Sequence, residues 1–125
     1  MKCRHIIIGV TLLLLAACGQ QHKARSIVDD FMDENMSDPS AIHAVDYAKL
    51  DSTRLIGDSL IQAMRKAAEK NKLFRHPITY AEGNPTPLLF ITRVDYKVGD
   101  KECQDTYYLD ADLTRVVAFK SLMDE

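Results

Sequence analysis

No excess of positive charge marks this 125-residue chain: 16 lysines and arginines stand against 18 aspartates and glutamates, a formal charge of −2. That excludes the basic footprint of a nucleic-acid-binding domain and gives no electrostatic pull toward an anionic membrane surface. Glycine is scarce, with five in all. None of the five sits in a phosphate-cradling loop, and no serine stands in a nucleophile elbow. Beyond the first 17 residues the histidines are His22, His43 and His76, and no two of them share a helical turn at metal-ligand spacing. No catalytic set, cofactor or metal is therefore expected. Long apolar runs are also missing. The longest, from Ile6 to Ala17, is interrupted by Gly9 and Thr11. It spans roughly 18 Å as a helix, against about 30 Å of bilayer hydrocarbon.

What that short run does have is flanks. Lys2 and Arg4 precede it, the small residues Ala16 and Ala17 close it, and Cys18 follows. A basic start, a short apolar middle and a small-residue end make a secretory signal. Leu15-Ala16-Ala17-Cys18 resembles the lipobox of bacterial lipoproteins. The resemblance implies a diacylglyceryl thioether on Cys18, cleavage before it and acylation of the new amine, a palmitate-type modification. Each buried methylene contributes about 0.8 kcal/mol, so three acyl chains on one residue anchor a protein to a membrane for practical purposes permanently. The expected organisation is a signal over residues 1–17, a lipidated cysteine and tether over 18–23, and a single domain over 24–125. By resemblance to known sorting patterns, Gly19 in place of an aspartate favours the outer membrane. Gln20-Gln21-His22-Lys23 in place of an acidic run favours its periplasmic face.

Loss of the signal leaves 14 basic against 18 acidic side chains. It also settles the cysteines: Cys3 departs, Cys18 is taken by lipid, and Cys103 has no intrachain partner, so no disulfide framework exists. Glu102 and Asp105 flank Cys103, and negative neighbours disfavour a thiolate. The thiol is expected on the inner face of a strand.

The periodicity then orders the elements. Ala24, Ile27, Val28, Phe31, Met32 and Met36 recur at spacings of three and four, which predicts an amphipathic helix over 24–36. Ser37-Asp38-Pro39 ends it. A strand is expected within 40–50 and a second helix over 58–71, with Leu60, Met64, Ala67 and Asn71 on one stripe and Ile61 and Ala68 beside it. Residues 75–87 hold three of the four prolines and read as a loop. Strands over 88–98, 102–109 and 114–119 follow, the first two joined by the hairpin signal Gly99-Asp100. The sum is α+β: two helices packed on one face of a curved, mainly antiparallel four-stranded sheet, in the order α-β-α-β-β-β. That order resembles the cystatin-like and NTF2-like superfolds. Together with Asp38-Pro39-Ser40 and Tyr108-Leu109-Asp110, it is also similar to small exported lipoproteins of unknown function.

One local motif carries chemistry. Residues 107–114, YYLDADLT, resemble the first motif of haloacid-dehalogenase-type phosphatases, which would make Asp110 a nucleophile and Asp112 an acid/base beside Thr114. That family needs a long α/β domain after the motif, and 11 residues follow Thr114, so the aspartates read as a turn. They fail as a calcium loop too, because Arg115 and Ser121 occupy the positions of the required Gly and Glu. The functional expectation is a non-catalytic, lipid-anchored binding or interaction protein of the cell envelope. Its partners would be the membrane, through Cys18, and an envelope protein, with no nucleic acid. The alternative is a periplasmic carrier of small molecules, with Phe90, Val94, Tyr96 and Tyr107 lining an apolar pocket between helices and sheet.

Overall fold

A computed structural model of the chain describes residues 2–122, with side chains described from Gly19 onward. The expected signal segment and Cys18 lie outside the residues whose side chains are described. The first helix, α1, spans Lys2–Asn35. Its predicted stripe is the one that packs: Ala24, Val28, Phe31, Met32 and Met36 are buried. The Met36 amide still donates to the Met32 carbonyl at 2.9 Å, and a 3-10 turn at Pro39–Ala41 then redirects the chain. There follow β1 (Ile42–Tyr47), β2 (Asp51–Thr53), α2 (Asp58–Ala68), β3 (Leu89–Val98), β4 (Lys101–Leu109) and β5 (Val116–Ser121). Among the described residues, no helix is long and apolar enough to cross a membrane.

The fold is α+β, with a mainly antiparallel, open five-stranded sheet. The strand order is β1-β3-β4-β5, and β2 continues the β1 edge by pairing with the start of β3. The fifth strand, β2, is three residues long, too short to leave a periodic signal in the sequence. The β3–β4 turn is the expected hairpin, with Gly99 at φ 61°, a region that suits a residue without a β-carbon.

The helices do not share a face, and here the sequence expectation is corrected. Successive strand residues point to opposite sides. Val94 and Tyr96 of β3 and Cys103, Tyr107 and Leu109 of β4 pack with α1. Leu89 of β3 and Tyr108 of β4, from the other side, pack with Ile61 and Met64 of α2. The reason lies in which stripe of α2 is buried. Ile61, Met64 and Ala68 face inward, while Leu60 and Ala67 of the predicted stripe are exposed; the helix ends at Ala68 rather than at the expected residue 71, and Asn71 is buried beyond it. That rotation sets α2 along β5, where the Arg65 Nε donates to the Val117 carbonyl at 2.8 Å. The neighbouring carbonyl, on Val116, accepts from the Ala81 amide at 2.9 Å. A bulge between Tyr108 and Leu109 in the β4–β5 register lets Val117 and Ala118 both face α2.

The centre of the α1 side is aromatic. Phe31 meets Tyr107 and Phe119 edge-on, each at 5.7 Å between centroids; Tyr107 stacks on Phe119 at 5.2 Å, and Phe74 lies 4.7 Å from Phe119.

Gly19 to Lys23, expected as a tether, are helical and part of α1. Gln21 docks them: its Nε2 donates to the Ala48 carbonyl at 3.3 Å, and its Oε1 accepts from the Leu50 amide at 2.7 Å. Only a side chain with both a donor and an acceptor makes that pair of bonds. Further along, the Tyr47 hydroxyl donates to Asp29, with the Arg25 guanidinium over its ring. α1 therefore runs antiparallel to β1, and its N-terminal part points to the end of the sheet where β2 finishes.

Candidate functional site

Four surface grooves differ in which charged groups line them and on which elements those groups stand. The groove between α2 and residues 76–80, about 590 Å³, contains Arg65 and His76. Arg65 is committed to the carbonyls of Val117 and Ala81 and to the ring of Tyr80, and the His76 Nε2 lies 3.1 Å from the Asn71 carbonyl. At the hairpin end a groove of about 440 Å³ is bordered by Lys97 and Glu102. These two face each other in the β3–β4 register, and Asp95 beside them pairs with Arg93 at 3.8 Å. A third, of about 300 Å³ between α1 and β1, is walled by Asp29 and Asp33, and Asp29 is held by Tyr47.

The fourth groove sets its opposite charges on separate elements, across an apolar floor. It lies between α1, residues 79–81 and residues 114–116, and holds about 280 Å³. Ile27, Phe31, Tyr80 and Val116 form an apolar floor; Asp30 and Glu34, one helical turn apart, form one wall, and Arg115 stands on the other. Among the described residues neither carboxylate nor the guanidinium makes an ion pair or hydrogen bond, so opposite charges face an open cleft unspent.

Three polar residues fix its walls. Asn35, buried, donates to the Phe31 carbonyl at 3.0 Å and accepts from the Thr79 amide at 3.1 Å. Arg75 takes the α1 carbonyls of Asp33 and Glu34. Asp110 organises the opposite wall: its Oδ1 accepts from the amides of Thr114 at 2.7 Å and Arg115 at 3.0 Å, and its Oδ2 from the Thr114 hydroxyl. The phosphatase-like motif is thus a turn that aims Arg115. Burial pushes the Asp110 pKa up, but the Thr114 hydroxyl and the backbone amides outweigh it and hold the carboxyl below its usual range. Asp112 is exposed.

No family, curated protein or solved structure matches this chain.

The four residues expected to line an apolar pocket pack in or against the core cluster on the α1 side, and Tyr96 also borders the hairpin-end groove. Val94 and Tyr107 are fully buried, Tyr96 is buried and Phe90 is half-buried against the same cluster, with Phe31, Phe74 and Phe119 packed among them. Beneath α1 lies a polar cluster that the sequence reading missed. Asp105, wholly buried, accepts from the Tyr96 hydroxyl at 2.7 Å and from the Tyr107 hydroxyl at 3.1 Å. Burial, then the Asp105 charge, raises the Tyr107 pKa well above the ordinary phenol value. Cys103 is buried, and its thiol is pushed up by burial and then by Asp105. Among the described residues, no group of His, Cys, Asp and Glu is placed to hold a metal.

Asn35 and Asp105 had a signal in the sequence. Asn35 is a polar residue four positions after Phe31 on the apolar stripe, and Asp105 lies between Cys103 and Tyr107 on a strand's inner face. A polar group at a core position has to be satisfied by partners, and the partners are what it organises.

Proposed function

We propose that this chain is a lipid-anchored binding protein of the bacterial cell envelope. It would be held by acylated Cys18 on the periplasmic face of the outer membrane and would take a small dipolar ligand in the groove between α1 and Arg115. One observation carries the binding reading: two carboxylates and a guanidinium stand unspent on opposite walls of an apolar-floored cleft. The walls suit a compound with an ammonium at one end and an anionic group at the other, such as an amino acid or the ends of a short peptide. Asp30 and Glu34 receive the cation, Arg115 receives the anion, and Phe31 and Tyr80 cover the carbon skeleton. The anchor reading rests on Lys2, Arg4, the apolar run and Leu15-Ala16-Ala17-Cys18.

Native mass spectrometry of the full chain purified from envelopes, titrated with amino acids and dipeptides, tests the binding. Arg115→Ala is expected to weaken the best ligand about tenfold or more, the worth of a charged hydrogen bond. If no dipolar compound binds, or Arg115→Ala binds as well as wild type, the groove reading fails. The intact mass tests the anchor separately: residues 1–17 should be absent and Cys18 acylated.

A further inference from the structure

Leu55 is 89 % exposed, more than any other large hydrophobic among the described residues, and it lies two residues past β2 in the connection to α2. Its neighbour Ile56 packs against the α2 cluster, so the backbone beneath it is held while the Leu55 side chain is presented to solvent. The Leu55 amide donates to the Thr53 hydroxyl at 3.1 Å, which fixes the bend that presents it. Leu60, in the first turns of α2, is also exposed, at 46 %.

The position of this tip is set by the fold. Gln21 binds Ala48 and Leu50, and Tyr47 binds Asp29, so α1 going backward and the chain from β1 to β2 going forward run toward the same end of the sheet. β2 pairs Asp51 with Ile91 and Thr53 with Leu89, the first residue of β3, which carries residues 54–56 past the sheet's end. From Gln21 to Cys18 is about 4.5 Å of helix rise, whereas from Leu50 to Leu55 the chain reaches up to about 17 Å. The tip thus extends in the direction of the anchor with length to spare. Arg54 precedes Leu55, and Lys49 lies on the preceding connection between β1 and β2; both are exposed, as are Asp51 and Asp58, so the cations lie beside the apolar tip within a locally balanced charge.

We infer that the Arg54-Leu55-Ile56 loop is a second membrane contact: Leu55 inserts at the lipid surface that holds Cys18, and this fixes the domain's orientation on the bilayer. The inference rests on the anchor proposed above. A single lipidated residue leaves a domain free to swing, and a second point of contact removes that freedom. The orientation leaves the hairpin at Gly99-Asp100, at the opposite end of the sheet, farthest from the membrane.

The test uses the full acylated chain in phosphatidylethanolamine–phosphatidylglycerol vesicles that contain a nitroxide-labelled phosphatidylcholine. A fluorophore is placed on Leu55→Cys or, as the control, on Asp100→Cys; Cys103 is buried and does not compete. The expected result is loss of iodide quenching and gain of nitroxide quenching at position 55, with neither at position 100. Equal behaviour at the two positions overturns the inference. So does shielding from iodide without nitroxide quenching, since a protein surface would then be what covers the loop. Intact mass of the same sample separates the two levels. An acylated chain whose position 55 stays aqueous sinks this inference alone, and an unacylated chain sinks the anchor reading with it.

Discussion

Removing one hydroxyl tests whether the sealed carboxylate under α1 is held by its phenols. Asp105 is wholly buried and receives the Tyr96 hydroxyl at 2.7 Å, the shorter of its two phenol bonds. Tyr96→Phe keeps the ring and its packing and deletes only that donor. A hydrogen bond to a charged group contributes about 1.5–3 kcal/mol, and a neutral pair about 0.5–1.5 kcal/mol. Tyr96→Phe is therefore expected to cost about 2 kcal/mol in the wild-type background and about 1 kcal/mol when Asp105→Asn has removed the charge. The difference, about 1 kcal/mol, is the coupling that a double-mutant cycle reads. Urea denaturation followed by circular dichroism measures all four chains, and an unchanged m-value shows that the unfolded states are comparable. A loss below about 0.5 kcal/mol for Tyr96→Phe would refute the reasoning, since surface substitutions reach that size. Equal losses in both backgrounds would refute it too.

Three further outcomes follow from the geometry. Phe31→Ala, which removes the ring shared by Tyr107 and Phe119, is expected to destabilise by about 3–5 kcal/mol in the same denaturation assay. Asp110 has a depressed folded pKa, so its contribution is present above its unfolded value of 3.8 and is lost as pH falls through the folded one. Asp110→Asn should flatten the acid limb of a stability–pH curve below pH 4 and leave the neutral region displaced by a constant amount. The Tyr107 phenol has a raised folded pKa, so its contribution is complete below the unfolded value of 10.0 and is lost as pH rises beyond it. Tyr107→Phe should therefore flatten the loss of stability above pH 10, read by thermal unfolding across that range.

Much of the fold was legible because periodicity reports burial. Each residue of the 24–36 stripe is buried or half-buried as its spacing required, and the hairpin of β3 and β4 falls where Gly99-Asp100 put it. The placement of α2 was not legible. Ile61, Met64 and Ala68 on one side and Leu60, Met64 and Ala67 on the other fit a helical stripe nearly as well, and the choice is made by β5 and the reach of Arg65. That choice depends on residues 52 positions away, which local spacing does not encode. The docked Gln21 was hidden for a related reason: a short polar stretch has the composition of a tether, and its partners Ala48 and Leu50 are backbone groups with no side-chain signature. The groove was half legible. The YYLDADLT stretch has the residues of a chemical motif, and its structural use is to hold Thr114 and Arg115.

Both outer borders of the sheet are blunted. On β5 the carbonyls of Val116 and Val117 are occupied by Ala81 and Arg65. On β1 the register breaks between His43 and Asp46, with Ala44 at φ 54°. A protein tethered to a bilayer is confined to two dimensions, where neighbours of the same kind collide often and in similar orientations. An unguarded strand border there invites copies to zip into filaments. On the anchor proposed above, the occupied carbonyls of β5 and the broken register of β1 would deny a neighbouring copy a regular ladder at those two strands.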